Sequence, residues 1–132
     1  MRQTNEDAKG RIVIMDDDES VREVCADIIS LLGYDTDCTC DGEELINFYK
    51  EAMANNIRID AVILDLTVPG GMGGKEAVQK LKEIDSNVVA IVSSGYSNDP
   101  VMSAYKDFGF SAILAKPYKV EEMEEVLASL IQ

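Results

Sequence analysis

The chain has 132 residues, 12 Lys and Arg against 25 Asp and Glu, a formal net charge of −13 and no histidine. A single domain is expected at this length, burying roughly two-thirds of its unfolded surface, and the charge argues against binding nucleic acid or anionic membranes through basic patches. The lack of histidine excludes an imidazole base, Ser-His and Cys-His dyads and imidazole zinc ligands, which leaves carboxylate, lysine and hydroxyl chemistry and favours cations or basic protein surfaces as partners.

Residues 1–10 read as a polar leader or linker and residues 11–132 as the folded domain. Met1 to Lys9 has no apolar core of the kind a signal peptide needs, and no apolar run approaches the roughly 18 residues of a spanning helix. A cytoplasmic location and no membrane contact are therefore expected. Cys25, Cys38 and Cys40 are odd in number and lack a metal-type spacing, so they read as reduced thiols.

From Arg11 onward, short β-branched runs alternate with stretches of helical period. The first strand is Arg11 to Met15, and the first helix is marked by Val21, Val24, Cys25, Ile28, Ile29 and Leu32 and closed by Gly33. A weaker strand spans Tyr34 to Cys40. Asp41-Gly42-Glu43-Glu44 then opens a second helix as an acidic capping box, carried by Leu45, Phe48, Tyr49 and Ala52. The third strand is Asp60 to Leu64, and the third helix covers about 75–84 on Ala77, Val78, Leu81 and Ile84. The fourth strand is expected over Val88 to Val92. Asn98-Asp99-Pro100 supplies a cap and a proline at the first position of a fourth helix that Gly109 ends. Ser111 to Ala115 forms the last strand. The final helix, about Val120 to Ile131, carries Glu121, Glu122, Glu124 and Glu125 near its positive end, where they read as a solvated face.

Strict strand–helix alternation implies a parallel sheet with helices on both faces and right-handed crossovers. The fold class is α/β, a flavodoxin-like doubly wound five-stranded sheet of order 2-1-3-4-5 with five helices. In such sheets the ligand crevice lies beyond the carboxyl ends of the strands. The polar groups fall there: Asp16, Asp17 and Asp18 after the first strand, Asp65 after the third, Ser93 and Ser94 after the fourth, Lys116 and Pro117 after the fifth. Three crowded carboxylates, Asp16, Asp17 and Asp65, raise one another's pKa unless a cation compensates. A hard cation such as Mg²⁺ takes carboxylate, carbonyl, water and phosphoryl oxygens. Lys116 offers a point charge for a phosphate oxygen and Ser94 a hydroxyl, which leaves one carboxylate as a nucleophile. Taken singly, Asp16 to Glu19 could also be only a capping cluster for the first helix, Asp65 a turn former, Ser94 a turn serine and Lys116 a surface lysine.

These residues resemble the response-regulator receiver domain of two-component signalling, the CheY-like superfamily, over about Arg11 to Ile131. Ile12-Val13-Ile14-Met15-Asp16-Asp17-Asp18 is similar to the family's first strand with its acidic pair, and Val62 to Pro69 to its phosphorylation strand. Ser94-Gly95 is similar to the switch position, and Lys116-Pro117 to the Lys-Pro pair. The resemblance implies that Asp65 accepts a phosphoryl group from a phosphohistidine of a sensor histidine kinase or phosphotransfer domain. It implies that Asp17, Asp65 and the backbone carbonyl of Thr67 bind Mg²⁺ or Mn²⁺, with Asp16 acting through a metal-bound water. Lys116 and Ser94 would contact phosphate oxygens, and the Lys116–Pro117 bond would be cis. The chain would be a phosphoacceptor with weak self-phosphorylation and autodephosphorylation rather than an enzyme, capable of a homodimer, and its glycine-rich loop is similar to receivers fused to hybrid histidine kinases.

Two departures stand out. The loop after Asp65, Thr67-Val68-Pro69-Gly70-Gly71-Met72-Gly73-Gly74, is one residue longer and richer in glycine than the family's Met-Pro-x-Met-Asp-Gly, which suggests flexibility. Ile113 stands where many receivers carry a switch aromatic, with Tyr96 and Tyr105 as nearby substitutes. Competing readings are a flavodoxin relative, a phosphatase with an Asp nucleophile and a second Asp two residues on, and a pseudo-receiver that only binds proteins. The acidic Asp16-Asp17-Asp18-Glu19-Ser20 loop would repel a flavin phosphate, and Thr67 occupies the phosphatase's second-acid position.

Overall fold

The computed structural model describes residues 7–96 and 98–131. Of residues 1–10, expected to be a leader or linker, residues 1–6 lie outside them; the Lys9 N–H donates to the Gly33 carbonyl at 2.9 Å. The strands are β1 (Arg11–Met15), β2 (Asp35–Thr39), β3 (Ala61–Asp65), β4 (Ala90–Ser94) and β5 (Ala112–Ala115), and the helices are α1 (Glu19–Leu31), α2 (Gly42–Ala54), α3 (Gly74–Ile84), α4 (Pro100–Ser103) and α5 (Val120–Leu130). All strands pair in parallel, in the order β2-β1-β3-β4-β5 expected from the alternation.

Side chains alternate across the sheet, so each strand feeds two cores. Val13, Met15, Val62, Leu64, Ala90 and Val92 face α2 and α3. Ile12, Ile14, Ala61, Ile63, Ile91 and Leu114 face α1 and α5, where Cys25, Ile29, Met123 and Leu127 meet them. Burial of each of the larger side chains contributes roughly 1.5–3 kcal/mol of transfer free energy, and this two-sided burial is why the central strands read as continuous apolar runs rather than alternating ones.

Caps fix where the helices start. Asp18 Oδ1 accepts the N–H groups of Ser20 and Val21, and Asp41 Oδ1 accepts that of Glu44. The Glu44 carboxylate reaches back to the Cys40 N–H at 3.3 Å, one residue before the expected partner of a capping box. Strand β4 begins two residues later than the apolar run suggested, since Val88 and Val89 form the approach and the polar Ser93 and Ser94 complete the strand.

The fourth helix is shorter than expected. Asp99 caps it, Pro100 opens it and Gly109 ends the segment with φ of 98°, as the sequence indicated. The middle breaks at Ala104, and Tyr105–Phe108 form a 3-10 turn. Ser103 Oγ donates to the Pro100 carbonyl, the same acceptor the Ala104 N–H uses. That local bond competes with helix continuation, and Ser103, Tyr105, Asp107 and Phe108 are all weak helix formers.

Candidate functional site

The site forms where β1, β3 and β5 end together. Asp16, 1% exposed, and Asp65, 7% exposed, project from β1 and β3. Lys116, just past β5, donates from Nζ to Asp16 Oδ2 at 2.8 Å and lies 3.2 Å from Asp65 Oδ1. Asp17 is exposed at the rim, and carboxylate oxygens of Asp16, Asp17 and Asp65 lie within 4.8 Å of one another. The structure thus brings together four of the sequence-derived site residues from three strands.

The cluster is held from behind. Asp16 Oδ1 accepts the Asp18 N–H at 2.9 Å, and the Arg22 guanidinium on α1 donates to the Asp16 carbonyl at 2.8 Å. Arg22 was not singled out from the sequence; its place one helical turn after Asp18 is the signal that could have found it. The Thr67 backbone N–H favours the charged form of the Asp65 carboxylate, and the Thr67 side chain is exposed. Ser94 is 3% exposed, with its hydroxyl oxygen accepting the Tyr96 N–H at 3.0 Å, so the hydroxyl proton remains available to another acceptor. The Lys116–Pro117 bond is cis.

Burial pushes the Asp65 carboxyl up to about 6, with the neighbouring Asp16 charge adding and Lys116 opposing. Burial also pulls on Lys116, but the hydrogen bond to Asp16 and the charges of Asp65 and Asp16 outweigh it, and its pKa rises. Three carboxylates against one ammonium therefore leave uncompensated negative charge at a wet rim. An all-oxygen donor set of that charge suits a hard divalent cation, and Mg²⁺ characteristically binds one or two carboxylates and keeps several waters; Asp16, Asp17 and Asp65 fit it.

The glycine-rich loop is not simply loose. Gly74 N–H donates to the Leu66 carbonyl, and a Cβ on Gly73 or Gly74 would sit 2.6 Å from the Leu66 carbonyl oxygen or 2.8 Å from that of Asp65. Glycine is needed there because the returning chain packs against the Asp65 strand end. Ile113 is half-buried against the α2–α3 core, Tyr105 packs on the same core, and Tyr96 is 71% exposed. Cys25, Cys38 and Cys40 form no disulfide, as expected.

Comparison with known proteins agrees with this fold. The response regulator receiver domain family matches residues 12–128. The chain is 26% identical over 117 residues to sporulation initiation phosphotransferase F of Bacillus subtilis, covering 89% of this chain and 90% of that protein. It is 30% identical over 122 residues to response regulator MprA of a Mycobacterium species, covering 92% of this chain and half of that longer protein. The fold overlays a CheX–CheY–BeF3–Mg²⁺ complex of Borrelia burgdorferi with a TM-score of 0.80 at 25% identity, covering 93% of this chain and 90% of the matched one. The chain belongs to the response regulator receiver domain family, whose members act as phosphoacceptors and bind Mg²⁺ at an acidic cluster. Among the described residues, no helix is long and apolar enough to cross a membrane.

Proposed function

We propose that this chain is the phosphoacceptor of a two-component phosphorelay, taking a phosphoryl group onto Asp65 from the phosphohistidine of a sensor histidine kinase or phosphotransfer domain. The observation that carries this reading is the Asp65 carboxylate at the end of a buried strand, with Asp16 and Asp17 beside it and Lys116 3.2 Å away. These 132 residues contain no histidine, so a donor imidazole comes from outside them.

In the reaction one Asp65 carboxylate oxygen forms a bond to phosphorus as the partner's P–N bond breaks, and the electron pair of that bond leaves with the imidazole. Asp17, Asp65 and the Thr67 backbone carbonyl would hold Mg²⁺ (or Mn²⁺), with Asp16 acting through a water. The cation supplies neutralisation of charge on the phosphoryl oxygens, which with positioning provides nearly all the catalysis of phosphoryl transfer. Lys116 meets one phosphoryl oxygen with its ammonium, moving from its ion pair with Asp65. Ser94 donates its hydroxyl to another, and its movement, with repacking of α4 and β5 around Ile113, carries the switch outward. The chain acts as a cytoplasmic module, alone or within a hybrid kinase, with weak self-phosphorylation and autodephosphorylation, and a homodimer is one form its output could take.

Incubation with acetyl phosphate, followed by intact mass, tests the reading. A Mg²⁺-dependent adduct of one phosphoryl group is expected in the wild type, and none in Asp65→Asn. An adduct that persists in Asp65→Asn overturns the assignment.

A further inference from the structure

Tyr118, two residues beyond Lys116, takes no part in the chemistry above, yet it is tied to the same sheet edge. Its phenol oxygen lies 2.6 Å from Ser93 Oγ. Ser93 is wholly buried and is the register partner of Asp65 across β3 and β4. With side chains alternating along a strand, Ser93 belongs with Ile91 to the α1–α5 face and Ser94 with Val92 to the opposite one. The two adjacent serines therefore serve different sides of the sheet. Ser94 faces the switch, and Ser93 faces Tyr118.

The chain leaves the sheet at Lys116, whose N–H donates to the Ser94 carbonyl at 3.0 Å. Beyond it, the segment into α5 is fastened at two points: Lys116 Nζ on Asp16 and Asp65, and the Tyr118 phenol on Ser93. A lysine ammonium sits on a flexible four-carbon stem, so where it rests depends on how firmly its backbone is held. We infer that Tyr118 is a positioning residue for Lys116: the Tyr118–Ser93 hydrogen bond anchors residues 116–118 to β4 beside the phosphoacceptor strand and holds the ammonium between Asp16 and Asp65. The consequence for phosphoryl transfer rests on the function proposed above; the geometric claim does not.

The full chain with Tyr118→Phe, Ser93→Ala and both together tests this. Phenylalanine keeps the ring and removes only the hydroxyl. The first readout is acylation of the Lys116 amine by a limiting amine-reactive ester, quantified by peptide mass spectrometry without any phosphodonor. Each single variant is expected to label Lys116 about fivefold faster, the effect of losing one ordinary hydrogen bond, and the double variant no faster than either single because both remove one interaction. The second readout is the acetyl phosphate adduct, expected to form several-fold more slowly at unchanged Mg²⁺ affinity. Ile29→Val, which weakens the same α1–α5 core and keeps the phenol, controls for stability. Labelling in Tyr118→Phe equal to that in Ile29→Val, or additive effects of the two single changes, overturns the inference. A wild type that forms no adduct refutes the proposed function instead, and the labelling still decides the role of Tyr118.

Discussion

At the amino-terminal end of the sheet, Arg11 sits buried with Nη1 2.6 Å from Asp37 Oδ2 and Nη2 3.8 Å from Asp35, while its N–H donates to Asp60. At the carboxyl end, Lys116 sits among Asp16, Asp17 and Asp65. Both ends place a cation among three aspartates, but they differ in what surrounds them. Arg11 spreads its charge over a planar fork matched to carboxylates, and Arg58 adds a second cation, 2.8 Å from the other oxygen of Asp60. The carboxyl end has a compact ammonium, an exposed third acid and an Asp65 whose pKa is pushed up to about 6. One end is a structural cluster in which two cations meet three acids. The other is charge left unbalanced, which is what a cation and a phosphoryl group require.

The largest test of that contrast is Arg11→Met. Removing one member of a buried ion pair is expected to cost about 3 kcal/mol, read as a lower urea midpoint at unchanged slope. Asp65→Asn should have the opposite sign without Mg²⁺, stabilising the fold by on the order of 2 kcal/mol at pH 7, because it removes a carboxylate whose ionisation the native state disfavours. The pH dependence follows from the raised pKa. Between its ordinary 3.8 and about 6 the native state binds the Asp65 proton and the unfolded chain does not. The stabilising contribution is thus full below about 4 and lost as pH rises through about 6, and Asp65→Asn should flatten that part of the stability curve. A slope unchanged in the variant would mean that Asp65 is not the strained group.

Mg²⁺ sharpens the same comparison at smaller scale. At ten times its Kd, the cation should stabilise the wild type by about 1.4 kcal/mol, measured as a shift in thermal midpoint. Arg11→Met should retain that gain, and Asp65→Asn should lose most of it. Loss of the gain in Arg11→Met would show that the two ends are coupled and break the contrast drawn here.

How much of this was legible in the sequence depends on whether the information is local. Asp18 and Asp41 could be read as caps because a cap acts within three residues. Asp16, Asp65, Ser94 and Lys116 could be gathered at one edge because parallel topology brings all strand ends together. The break at Ala104 was missed because Pro100 and Gly109 mark both ends of the segment, while the bond from Ser103 to Pro100 sits inside it. The pairings of Arg11 with Asp37 and of Ser93 with Tyr118 were invisible for a different reason. They depend on register and on which face a side chain takes, and a shift of one residue along a strand moves every side chain to the other face. The glycine content of the loop suggests flexibility because composition does not reveal that Gly73 and Gly74 pack against the strand they follow.

The smallest expected effect tests the claim that the amino-terminal cluster is structural. Arg58 is 84% exposed, so its pair with Asp60 lies largely in water, where such pairs contribute between nothing and about 1 kcal/mol. Asp60 is held from the other side as well, since its Oδ2 accepts the Arg11 N–H at 2.8 Å. Arg58→Ala should therefore change stability by less than about 0.5 kcal/mol and by still less in high salt, which screens exposed charges. A loss comparable to that of Arg11→Met would mean that Arg58 is needed to balance the cluster. The amino-terminal end would then depend on a solvent-exposed side chain for its charge balance.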